Sequence, residues 1–150
     1  MHTLDFLNAK RVKEISQIAE AQWGAGLPKD YFYLLRKDGD LFIVNRDIEK
    51  LNLDKLRLNS LGLYIGELRN YELRLSIEGA QLLGPKAKKN AVEITNEQLS
   101  AWLHGEDLDV ETESRGFVIL KCGKDFVGCG KLIEGKVLNF VPKARRVKSG

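Results

Sequence analysis

Glycine placement in the last third constrains this chain most. Trp102-Leu103-His104 runs directly into Gly105, and β-type segments follow at short intervals: Phe117–Cys122, Phe126–Leu132 and Lys136–Phe140. Turns at Gly123-Lys124-Asp125 and Glu134-Gly135 separate them. Val92-Glu93-Ile94 reads as a short strand before them. Thr95 or Asn96 then caps a helix with Leu99, Trp102 and Leu103 on one face. Ala144–Val147 is read as one more extended segment. Strands this short and this closely spaced predict a small closed or nearly closed barrel with one helix plugging an end.

The preceding part has a different rhythm. Residues 8–24 predict a helix, with Asn8 as its cap, Gly24 as its stop, and Val12, Ile15, Ile18, Ala19 and Trp23 as its apolar stripe. Tyr31–Arg36 and Leu41–Val44 flank Asp38-Gly39, which predicts a hairpin. Asp47 caps a short helix. Between Leu56 and Leu68 the alternation is mixed, and Gly62 and Gly66 suggest bends or bulges. Asn70-Tyr71 then turns the chain into Glu72–Ile77, where Leu73, Leu75 and Ile77 share one face. Gly79, Gly84, Pro85 and Lys86-Ala87-Lys88-Lys89-Asn90 break the pattern, and a domain boundary is expected between about residues 84 and 91. The fold class is thus α+β. An N-terminal antiparallel sheet with helices (residues 1–86) is followed by the small barrel (residues 90–150).

Charge is distributed unevenly. The net charge is only +3 in 150 residues, and residues 1–85 balance at 12 cations and 12 acids. Residues 97–113 hold six acids and no Lys or Arg, whereas residues 131–150 hold six cations against Glu134 alone. Separation of this kind makes one face attractive to phosphate. If 144–147 is extended, Arg145 and Arg146 point to opposite faces. Two assignments follow: Arg146 and Lys148 serve phosphate while Arg145 braces the domain, or the reverse.

Catalytic chemistry finds little support. The histidines are His2 and His104, and the cysteines are Cys122 and Cys129. Their spacing carries no triad signature and no zinc pattern. Gly62-x-x-x-Gly66 and Gly128-x-Gly130 lack the strand–loop–helix setting of a phosphate-binding loop, so close backbone packing is expected at the second pair. The acids Glu106, Asp107, Asp109, Glu111 and Glu113 do not have calcium-loop spacing. No apolar run approaches the ~20 residues that cross a bilayer, and the N-terminus lacks the features of a signal peptide. A reducing cytoplasmic setting is expected, with no membrane, cofactor or metal.

The segments around Gly105-Glu106-Asp107-Leu108, Gly116-Phe117-Val118-Ile119, Phe126–Lys131 and the closing Asn139-Phe140-Val141-Pro142-Lys143-Ala144-Arg145-Arg146 together resemble a PUA domain. This is the small RNA-binding barrel named after pseudouridine synthases and archaeosine transglycosylases. The closing segment is most similar to the C-terminal region of Sun-family RNA cytosine-5 methyltransferases and of small archaeal relatives. Residues 1–84 more weakly resemble the pre-PUA domain of ribosome-biogenesis proteins. The resemblance implies RNA contact by the helix before Gly105, the following loop and the last strand. That designates His104, Gly105 and Glu106 with Lys143, Arg145 and Arg146, and the nearby cations Lys131 and Lys148 extend the set. The acids after Gly105 depart from the family pattern. Alternating βα cofactor-binding units are missing, so methylation does not carry over.

The expected function is non-catalytic binding of structured RNA, rRNA or tRNA, in ribosome biogenesis or RNA modification. The competing reading is an adaptor that docks an RNA methyltransferase or ribosome-assembly factor. Trp23, Tyr31 and Tyr33 would be its docking surface, although core packing suits each of them too.

Overall fold

A computed structural model describes residues 6–45 and 62–147. The chain order is α1 (Ala9–Trp23), β1 (Tyr31–Leu35), β2 (Asp40–Asn45), β3 (Leu63–Arg69), β4 (Glu72–Leu75), α2 (Ile77–Leu83), β5 (Ala91–Glu93), α3 (Asn96–Leu103), β6 (Leu108–Asp109), β7 (Gly116–Cys122), β8 (Asp125–Ile133) and β9 (Lys136–Leu138). Single 3-10 turns occupy Gly84–Lys86 and Lys143–Arg145. The expected helix at Asp47 and the run over residues 56–61 lie outside the described residues, as does Lys148.

The first four strands form an antiparallel meander, β1-β2-β3-β4. The second sheet runs β5-β7-β8-β9-β6, with only the β5–β7 pair parallel. Helix α3 connects its two edge strands, and Gln98 reaches the Asp109 carbonyl of β6 at 3.2 Å. The α+β class expected from the sequence is the one observed: an antiparallel sheet with helices, then a small PUA-like β-rich unit.

Local sequence accounts for most elements. The Asn8 side chain accepts from the Arg11 N–H, and Gly24 ends α1 in the left-handed conformation at φ 71°. Ile15, Ala19 and Trp23 of the stripe are buried. Pairing of β2 with β3 shifts register between Leu41 and Phe42, opposite Gly66. A Cβ at Gly66 would lie 2.5 Å from the Arg74 carbonyl, so glycine is what lets β4 approach.

Two expectations fail. The strand expected over Glu72–Ile77 stops at Leu75, and Ser76 caps a helix by accepting from the Gly79 N–H. Gly79 is a packing glycine inside that helix. A Cβ there would overlap the Ile65 carbonyl oxygen, so α2 lies directly on the β3 backbone. The extended segment expected over Ala144–Val147 is instead turned, with Arg145 N–H bonded to the Pro142 carbonyl. Strand β9 ends at Leu138 because the side chain of Asn139 is bonded to nearby backbone groups.

Strand β7 joins the two sheets. Val118, Ile119 and Leu120 are all fully buried, so both its faces are core. Ile119 and Phe117 pack with α1 and the first sheet, while Val118 and Leu120 pack with Trp102, Leu108, Val137 and Val141. Strand β8 divides in the same way. Cys129 faces the first core, whereas Gly128 and Gly130 face Trp102. Burial pushes the Cys129 thiol up to about 12. The Trp23 indole N–H donates to the Phe117 carbonyl at 2.9 Å, and the Asn90 amide donates to the Gln22 carbonyl. Trp23 and Tyr33 are therefore core residues, and Tyr31 alone of the expected docking trio is exposed.

Candidate nucleic-acid interface

The candidate site is built around the end of α3. Thr95 caps this helix in a reciprocal box with Gln98, at 3.1 and 2.9 Å. At the other end Glu106 N–H bonds the Ala101 carbonyl and Gly105 N–H bonds the Trp102 carbonyl, the paired bonds of a Schellman stop. Gly105 has φ 93°, which a side chain would strain. The expected stop at Gly105 is thus a backbone requirement.

Gly105 has a second reason to lack a side chain. A Cβ there would lie 2.6 Å from Cδ and Nε of Arg146. The arginine stem therefore lies across the glycine, and its Nε donates to the Val141 carbonyl at 3.0 Å. The next residue, Val147, donates its N–H to the Leu103 carbonyl at 2.8 Å. Bare carbonyls at a helix C-terminus carry partial negative charge and do not attract phosphate. Arg146 and Val147 cover that end and place a cation there instead.

Asn139 ties the closing segment to the loop. Its amide donates to the carbonyls of Trp102 and Glu106 at 2.8 and 2.9 Å, and its Oδ1 accepts from the Val141 N–H at 2.7 Å. Its own N–H donates to the Asp107 carboxylate. His104 folds back on its own helix, with Nδ1 at 2.7 Å from the Ser100 carbonyl. A carbonyl only accepts, so Nδ1 carries a hydrogen in this arrangement.

Candidate residues therefore separate into groups. His104, Gly105, Glu106 and Arg146 meet on one ledge, and Lys143 is exposed in the adjoining turn. Arg145 points elsewhere and makes a bidentate pair with Glu78 of α2, at 2.8 and 2.7 Å. Lys131 also turns toward the first sheet, 3.8 Å from Glu72 and over the Phe117 ring. The acidic stretch is partly structural: Asp107 holds Asn139, and Asp109 pairs with Lys136 at 3.2 Å. The cysteines and His104 do not converge, since Cys122 contacts Asn96 and Cys129 is enclosed. Among the described residues no cluster of three potential metal ligands occurs, and no helix is long and apolar enough to cross a membrane.

The Arg145 hydrogen bonds hold the Glu78 carboxyl below its usual range, against the opposing effect of burial. A carboxyl depressed on folding contributes stability above its unfolded value of about 4.3, and that contribution is lost as pH falls through the folded value. Glu78→Gln is expected to lower stability slightly at neutral pH, by well under ~1 kcal/mol for a pair this exposed, and the melting temperature with it. The gap from wild type should close in acid, as measured by melting curves across that range.

Comparison with known proteins agrees with this architecture. Residues 89–147 match the family described as the methyltransferase RsmF PUA domain. These residues form a PUA domain. Ribosomal RNA small subunit methyltransferase F of Vibrio cholerae serotype O1 is 30% identical over 135 residues, covering 89% of this chain and 28% of the relative. The Citrobacter koseri protein of the same name is 26% identical over 141 residues, covering 91% and 28%. That of Vibrio vulnificus is 26% identical over 117 residues, covering 78% and 24%. The chain thus spans less than a third of the length of these relatives, all of them bacterial and none archaeal. The matched stretch includes the first sheet, so the likeness extends beyond the PUA domain.

Proposed function

We propose that this chain holds structured RNA without altering it chemically, using the PUA domain ledge. The carrying observation is Arg146 laid across Gly105 at the end of α3, with Lys143 exposed beside it. Affinity arises chiefly from cations meeting phosphate, and Gly105 leaves room for the Arg146 stem that carries one of them. The relatives are named as small-subunit rRNA methyltransferases, which favours small-subunit rRNA over tRNA as the ligand. The role served is presentation of that RNA to a methyltransferase domain, which is the partner chemistry the relatives' name suggests.

The test is affinity for a small-subunit rRNA fragment as a function of salt. Log affinity should fall linearly with log salt concentration, and Lys143→Gln should flatten the slope by about one contact. Affinity independent of salt would contradict the reading.

A further inference from the structure

A cleft of about 140 Å³ opens where β3 and β4 meet the closing segment. Tyr64, Arg74, Ile77, Phe140, Pro142 and Arg145 line it. Phe140 is 37% exposed although aromatic. The Arg74 guanidinium lies 4.5 Å from its ring centroid, and the Phe117 ring stands 6.3 Å away. Arg74 also lies beside the Tyr64 hydroxyl and 3.7 Å from Glu67. Each guanidinium has five N–H donors, so Arg74 and Arg145 both retain donors beyond these contacts.

We propose that this cleft receives one unpaired pyrimidine nucleotide of the bound RNA. Three features carry the assignment. A cleft of this volume seats a single six-membered ring, so a pyrimidine base sits more fully within it than a purine. A guanidinium plane stacked over an aromatic ring, as Arg74 is over Phe140, is a platform on which unpaired bases stack. The wall also supplies guanidinium N–H donors, which suit pyrimidine carbonyls and the adjoining phosphate. Continuity supports it as well: the turn that offers Arg146 and Lys143 to the ledge offers Pro142 and Arg145 to the cleft. A strand leaving the ledge reaches the cleft across that one turn. The inference rests on the RNA reading above.

The experiment compares an RNA hairpin with a blunt end, the same hairpin with a short uridine tail, and one with an adenosine tail, by fluorescence anisotropy. The uridine tail should tighten wild-type binding about tenfold, as expected for one stacked base, and the adenosine tail should do so less. Phe140→Leu keeps apolar bulk and should remove the tail's gain while binding the blunt hairpin as wild type does. Phe140→Tyr should restore it. Retention of the full gain in Phe140→Leu, or no gain in wild type, would overturn the cleft and leave the RNA reading standing. An equal gain from adenosine would overturn the pyrimidine assignment. Failure of wild type to bind even the blunt hairpin would instead refute the RNA reading, and the cleft with it.

Discussion

Replacing Trp102 by alanine should destabilise the protein by about 3–5 kcal/mol, a large fraction of the ~5–15 kcal/mol that holds an ordinary domain folded. The indole is fully buried and forms the centre of the second core. The β8 backbone closes on it: a Cβ at Gly128 would lie 2.7 Å from its Nε1, and one at Gly130 would lie 2.8 Å from the ring. No small shift of β8 can refill that space, because Gly130 is also held against the Leu138 carbonyl. The indole N–H is buried without a hydrogen-bond partner among the described residues. Such a group costs about 1–3 kcal/mol. Trp102→Phe removes that cost along with part of the ring, so it should lie far closer to wild type than the alanine variant. Urea unfolding of the three proteins measures both differences. A Trp102→Ala loss below ~1 kcal/mol would show that the plug is not what holds this core together.

Reversing charge at Lys143 and Arg146 together should weaken RNA binding by two orders of magnitude or more at low salt. Each lost phosphate contact lowers the salt slope by about one, and each added carboxylate repels phosphate besides. Lys143→Glu should deliver about half of the effect on the slope without touching the fold, since Lys143 makes no ion pair among the described residues. Arg146→Glu also uncovers the end of α3, so melting curves must accompany it. Arg145→Glu serves as the contrast. It breaks the Glu78 pair and should cost stability and cleft binding more than ledge binding. Equal affinity of wild type and a folded double variant would remove the ledge from the account.

Elements set by local chemistry were legible in the sequence. Asn8 and Gly24 bound α1, Asp38-Gly39 turned the first hairpin, and Thr95 and Gly105 bound α3, because a cap or a left-handed glycine acts within a few residues. Gly128-x-Gly130 was readable as close packing, though the partner, Trp102, was not. Helix α2 was hidden because Ile77 happens to continue the strand alternation of Leu73 and Leu75. Gly79, which reads as a breaker, is there to let the helix touch β3. The closing turn is not visible in residues 144–147 alone, because the Asn139 side chain decides the backbone path. The division of labour between Arg145 and Arg146 depends on Glu78, 67 residues away, and no local pattern reports a contact of that range.

The central claim concerns where RNA rests, and backbone amide shifts on titration with the small-subunit rRNA fragment locate it directly. The account predicts that the amides of His104, Gly105, Glu106 and Lys143 to Val147 move first and furthest, with Phe140 and Arg74 following when the RNA carries an unpaired pyrimidine. Shifts confined to β1 and β2, with Gly105 and Arg146 unmoved at saturation, would contradict it.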